Sequence, residues 1–136
     1  QQGEPVLLVG SSLGGYYSLY LAERFANCRA VLINPAVYPY RLLHDLLGEN
    51  QNMYTGQRYQ LTALHIAQLK ALDVERPSDP ERLLLLTQTG DETLDYREAV
   101  SKLDAITQCV TQGGDHSYQG FEQKIEQIIS FGLGSR

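Results

Sequence analysis

A short aliphatic run that breaks at a glycine-flanked serine leaves a chain few ways to fold. Val6-Leu7-Leu8-Val9 passes into Gly10-Ser11-Ser12-Leu13-Gly14-Gly15, and helical periodicity begins at once. The segment fits Gly-x-Ser-x-Gly in the order strand, sharp turn, helix, which a nucleophile elbow requires. Such a turn holds the serine in a strained conformation with its hydroxyl exposed above the sheet. Glycines two positions to either side let the strand and helix backbones approach with no Cβ between them. The pentapeptide alone is not specific, because glycine and serine cluster in many loops. Its context gives it meaning: if Ser12 is a nucleophile, a carboxylate and a histidine should follow in that order.

The totals set the outer limits. A chain of 136 residues fits one domain with a single core. A net charge of −5 without blocks of like charge argues against a nucleic-acid or anionic-membrane surface. No apolar run approaches the roughly 20 residues of a membrane helix, and the polar opening Gln1-Gln2-Gly3-Glu4-Pro5 is unlike a secretion signal. Cys28 and Cys109 lie far apart and suggest neither a disulfide framework nor a metal motif. They read as reduced, partly buried thiols, and the expected location is cytoplasmic.

Along the chain, Val6 to Val9 shows no polar alternation, the mark of a strand covered on both faces. From Leu13 to about Ala26, Tyr16, Leu19, Tyr20, Ala22 and Phe25 recur at helical spacing. Ala30-Val31-Leu32-Ile33 is a second apolar run ending in Asn34-Pro35, so strand, helix and strand form a βαβ unit with a right-handed crossover. Residues 36–78 change character. Leu42, Leu43, Leu46 and Leu47 predict one helix, with Gly48 as its stop. Residues 49–58 read as a polar loop, and Leu61, Leu64, Ala67 or Gln68, and Leu72 predict a second helix. An insertion of this length exceeds a simple connection and is expected to form a helical cap, with Tyr38, Tyr40, Leu43, Leu47 and Tyr54 as candidates for an acyl pocket. His44 and His65 fall within it, without partners at metal-binding spacing. Leu83-Leu84-Leu85-Leu86 is the candidate central strand. A short helix over Tyr96 to Leu103, a more polar edge strand over Ala105 to Val110, and a closing helix through Phe121, Ile125, Ile128 and Ile129 complete the domain.

Ser12, Asp91 and His116 thus fall on loops at the carboxyl edge of one parallel sheet, where such sheets carry their function. A serine hydroxyl is a poor nucleophile until a base takes its proton, which imidazole can do near neutral pH. A carboxylate on the other ring nitrogen fixes the tautomer and stabilises the imidazolium. The backbone N–H of Leu13, at the helix start, points where an oxyanion would develop. Asp91 has a rival in Asp95; Asp91 is preferred because it follows its strand more closely. Asp115, beside His116, reads as a turn residue. Nucleotide binding at the glycine loop fares poorly: no Lys follows Gly14-Gly15, and the second strand ends in Asn34 where a ribose-binding acid would stand.

Leu8-Val9-Gly10-Ser11-Ser12-Leu13-Gly14-Gly15, Ile33-Asn34-Pro35-Ala36, Thr89-Gly90-Asp91-Glu92 and Gly114-Asp115-His116-Ser117-Tyr118 together resemble the small bacterial α/β-hydrolase-fold esterases of the YqiA type. The resemblance covers essentially the whole chain. It implies an α/β fold, namely the C-terminal portion of an α/β-hydrolase domain with about four strands here, a mainly parallel sheet flanked by helices, and a helical insertion. It also implies hydrolysis of small acyl esters or thioesters with Ser12 as nucleophile, Asp91 as acid and His116 as base, and neither a metal nor an organic cofactor. Proteins of this fold carry earlier strands and a loop supplying a second oxyanion N–H, which this sequence does not include. The strand bearing Ser12 is therefore expected at or near a sheet edge, where an apolar strand invites pairing with another chain through Val6 to Val9. The alternative function is a hydrolase-fold binding or scaffold protein without turnover.

Overall fold

Each aliphatic run becomes a strand because β-branched and leucine side chains fill the layers above and below a parallel sheet. The computed structural model describes residues 3–44, 48–51, 58–61 and 63–134. In chain order the elements are β1 (Val6–Ser11), α1 (Leu13–Arg24), β2 (Cys28–Ile33), α2 (Pro39–His44), β3 (Gly48–Gln51), β4 (Arg58–Leu61), α3 (Ala63–Lys70), β5 (Leu83–Gln88), α4 (Tyr96–Lys102), β6 (Thr107–Thr111) and α5 (Ile125–Gly132). Single 3-10 turns precede β5 and α5. The main sheet has four strands in the order β1-β2-β5-β6. All of its pairings are parallel, with Val9 opposite Val31, Leu32 opposite Leu85, and Leu86 opposite Cys109.

The strand order steps in one direction, and parallel crossovers are right-handed, so α1 and α4 lie on one face. On the other face Val31, Ile33, Leu84 and Leu86 pack with Tyr118, Ile128 and Phe131, and Leu7, Cys109 and Phe121 close the rim. Residues 83–88 are buried throughout, as an uninterrupted leucine run in a central strand requires.

The chain divides into two compact units, residues 1–37 with 74–136, and residues 38–73. In the smaller unit the Tyr40 hydroxyl donates to Asp73 Oδ2 at 2.9 Å, and the Arg41 guanidinium stacks 3.9 Å from the Tyr38 ring centre. Burial and the adjacent Asp73 carboxylate push the Tyr40 phenol up to about 12.

Four expectations from the sequence need correction. Residues 49–58 are not simply loop, Gly48 does not stop a helix and Leu61 does not begin one, because α3 starts at Ala63 and β3 over Gly48–Gln51 pairs antiparallel with β4 over Arg58–Leu61. Their polar sequence hides them: a two-stranded ribbon is held by its ladder of backbone hydrogen bonds, which leaves no apolar alternation to read. β1 is not covered on both faces either. Val6 is 42 % and Val9 48 % exposed, since among the described residues β1 pairs only with β2. Phe25 ends α1 as an exposed residue, while Tyr16, Leu19 and Ala22 make its buried face. Finally, α2 starts at Pro39, three residues before Leu42. Residues 45–47, including Leu46 and Leu47, together with Tyr54 and the side chains of Leu43 and His44, lie outside the described residues.

Candidate active site

The site forms where four successive β strands of the main sheet end. Ser12 follows β1 and takes φ 57° and ψ −123°, a conformation that costs a non-glycine residue about 1–3 kcal/mol. Backbone bonds on both sides hold it there. Its N–H donates to the Ile33 carbonyl at 3.1 Å, and its carbonyl accepts from the N–H groups of Gly15 and Ala36, each at 3.0 Å. Gly10 is obligatory in this turn, because a Cβ there would overlap the Gly14 carbonyl and the Ser18 hydroxyl. Leu13 is the first residue of α1, so its N–H is among those a helix leaves without an intrahelical acceptor.

Asp91 lies three residues beyond β5, in the turn closed by its own N–H on the Gln88 carbonyl. Its side chain is only 1 % exposed. One carboxylate oxygen, Oδ1, accepts from the N–H groups of Thr93 and Leu94, each at 2.9 Å. The other, Oδ2, lies 2.9 Å from His116 Nδ1. Asp95, the rival, is occupied elsewhere. It is the N-cap of α4, accepting from the Arg97 N–H at 3.0 Å and pairing with the Arg97 guanidinium at 2.9 Å. That hydrogen bond from Arg97 holds its carboxyl below the usual range.

His116 enters from the loop after β6. Its Nε2 lies 3.1 Å from Ser12 Oγ, so the three residues form one continuous hydrogen-bonded chain across 104 positions of sequence. The two contacts define the tautomer: Nδ1–H donates to Asp91, and Nε2 is left as the acceptor for the serine hydroxyl. The His116 backbone N–H donates to Glu92 Oε1 at 3.1 Å. That bond is the main reason the Glu92 carboxyl sits below its ordinary value. Asp115 directs its side chain away from this chain and accepts from the Gln119 carboxamide at 2.7 Å.

Two further side chains reach the His116 loop: Asn34, just after β2, which the sequence marks only as part of a strand-end motif, and Gln88, the last residue of β5, to which the sequence gives no role. The readable signal is the same in each, a polar residue where a buried aliphatic run stops. An open hollow of about 410 Å³ lies along residues Thr89 to Arg97. Asp91 is among its lining residues, and neither Ser12 nor His116 is.

Among the described residues, no group of three or more His, Cys, Asp or Glu side chains could hold a metal ion. His65 lies on an exposed stretch of α3. Cys28 and Cys109 are free thiols, the first buried and the second partly so. Among the described residues, no helix is long and apolar enough to cross a membrane.

Est1E from Butyrivibrio proteoclasticus, in complex with ferulic acid, superposes with a TM-score of 0.72 at 17 % identity, covering 96 % of this chain and 59 % of that one. The esterase domain of a Rhodothermus marinus protein gives a TM-score of 0.64 at 19 % identity, covering 94 % of this chain and 59 % of that one. The alpha/beta hydrolase domain-containing protein 10 from mouse gives 0.63 at 21 % identity, covering 94 % of this chain and 60 % of that one. The fold is therefore that of the α/β-hydrolases, and the chain spans about 60 % of the length of these structures. The motifs around Ser12, Asp91 and His116 resemble one branch of that fold, and a family model agrees over nearly the whole sequence. It is the model of the uncharacterised protein family UPF0227, it matches residues 1–133, and the chain belongs to that family.

Proposed function

We propose that the protein is a serine esterase acting on acyl esters or thioesters through a covalent acyl-enzyme. The observation that carries this reading is the unbroken chain from Ser12 Oγ through the His116 ring to Asp91, at 3.1 and 2.9 Å. In this mechanism His116 Nε2 takes the hydroxyl proton as Ser12 Oγ attacks the substrate carbonyl. The Leu13 N–H stabilises the developing oxyanion; loss of one such donor typically costs about 3–4 kcal/mol in the transition state. The imidazolium then protonates the leaving alcohol or thiol. A water, activated in turn by His116, releases the acid and restores Ser12. Asp91 holds the ring in place and balances its transient charge. The esterases among the structural neighbours support the reading at the level of fold.

The test is covalent labelling. A fluorophosphonate probe should label the wild-type protein at Ser12, and Ser12→Ala should abolish labelling. Labelling that persists in Ser12→Ala would overturn the assignment. An acyl ester recovered intact after binding, with no burst of released alcohol, would favour a binding protein built on the same fold.

A further inference from the structure

We propose that Asn34 and Gln88 are positioning residues that hold the His116 loop at the distance from Ser12 that catalysis needs; this rests on reading His116 as the general base. Residues 113–120 contain no regular helix or strand, so the placement of His116 cannot come from a backbone ladder of its own. Glu92 accepts from the His116 N–H and Thr89 Oγ1 from the Gly113 N–H, and the buried part of the hold comes from two carboxamides on neighbouring strands. Asn34 is 1 % exposed, and its Nδ2 donates to the carbonyls of Asp115 at 2.9 Å and His116 at 3.0 Å. Its Oδ1 accepts from Thr87 Oγ1 at 3.2 Å and from the Gln88 N–H at 3.0 Å. Both N–H groups and both lone pairs are thereby used, the full capacity of an amide side chain.

Gln88 is 3 % exposed and grips the same loop from the adjacent strand. Its Oε1 accepts from the N–H groups of Asp115 at 3.2 Å and Gln119 at 2.9 Å, and its Nε2 donates to the Gln119 carbonyl at 2.7 Å. The fit leaves no slack. Gly114 has φ +74°, and a Cβ there would overlap the Gln88 carboxamide. Asn34 itself has φ 41°, a left-handed conformation that Asn and Asp tolerate better than most residues. The residue just after β2 thus suits its place both by its backbone and by its amide. Buried polar groups in such a loop need partners, and these two side chains supply them at the residues flanking and including His116.

The chemistry turns on distance, since misplacing a catalytic group by about 1 Å can cost 10²-fold in rate. Asn34→Asp keeps the shape, the backbone preference and the acceptor toward Thr87, but sets a carboxylate oxygen against two carbonyls. Expected is a fall in kcat of about 10²-fold for ester hydrolysis, with KM within about twofold of wild type. Gln88→Glu retains the acceptor for two loop N–H groups, whereas Gln88→Leu retains nothing, so kcat should fall further in Gln88→Leu. All rates are taken per folded molecule, from circular dichroism of the same samples. Wild-type kcat in Asn34→Asp, or a raised KM at unchanged kcat, would overturn the proposal. Should Asn34→Asp not fold, the Gln88 pair decides: equal kcat in Gln88→Glu and Gln88→Leu overturns it. His116→Ala separates the two levels. If it is inactive while the Asn34 and Gln88 variants match wild type, only the positioning role fails; if it keeps wild-type kcat, the reading of the site fails and this role with it.

Discussion

Asp91 and Asp95 lie four residues apart on one connection, and their surroundings are opposite. The Asp91 side chain is 1 % exposed and accepts from two backbone N–H groups while facing the His116 ring. Asp95 is 44 % exposed, caps α4 and pairs with Arg97. One carboxylate is withdrawn from water and aimed; the other is solvated and serves the start of a helix. The difference comes from the chain's path. Asp91 falls in the tight turn at the end of β5, and its side chain closes an Asx-type turn over Thr93 and Leu94 that fixes its second oxygen. Asp95 comes one turn later, where the chain needs an N-cap, a position that Asp fills well. Identical chemistry therefore takes two roles within five residues, set by what the backbone needs at each point.

The largest expected effect separates the two directly. Asp91→Asn is nearly isosteric and can still accept from Thr93 and Leu94, but it cannot hold the His116 tautomer. In serine enzymes with this arrangement, that change costs on the order of 10⁴-fold in kcat. Here the expected outcome is a loss of that order in ester hydrolysis, with a melting temperature close to wild type. Asp95→Asn replaces one good N-cap by another and should leave kcat unchanged. Equal losses in the two variants would erase the distinction.

A second test concerns stability and is smaller. Asp95→Ala removes the acceptor for the Arg97 N–H and the partner of its guanidinium. The melting temperature should fall by a few degrees while kcat holds, as loss of an N-cap does in a short helix. A drop in kcat at unchanged folded fraction would show that α4 helps to place Asp91.

The pattern of what could be read beforehand follows from how far each cause acts along the chain. β1, β2, β5 and β6 were legible because an aliphatic run in a parallel sheet is a local signal, and the carboxyl ends of those strands placed Ser12, Asp91 and His116 on one edge. The preference for Asp91 over Asp95 was legible as distance from a strand end; the geometry that brings it to His116 was not. The β3–β4 ribbon is not legible in the sequence, because a two-stranded antiparallel pair is held by its backbone ladder and needs no apolar alternation. The exposure of Val6 and Val9 was equally hidden, since a strand's own sequence does not say how many neighbours it has. The Asn34 and Gln88 contacts are the clearest case. Their partners are 27–82 residues away, and no spacing rule connects a carboxamide at one strand end to a loop beyond another.

Glu92 offers the smallest and most selective test, because it is a third carboxylate on the same connection and lies between the other two in character. It is exposed like Asp95, yet it touches the His116 backbone N–H, on the other side of the residue that Asp91 holds. That N–H favours the charged form, so the Glu92 carboxyl titrates below its ordinary value of 4.5. A group with a depressed folded value stabilises the fold above its unfolded pKa and loses that contribution as pH falls through the folded value. Glu92→Gln keeps an acceptor for the His116 N–H but has no charge to lose. The melting temperature of wild type should therefore exceed that of Glu92→Gln near neutral pH, and the gap should close as pH drops below 4.5. At neutral pH kcat should stay within about twofold, because the neutral amide still accepts that hydrogen bond. A melting-temperature gap that is constant from acid to neutral pH would mean that the charge on Glu92 does not hold the His116 loop, and that its exposed carboxylate acts there only as a hydrogen-bond acceptor.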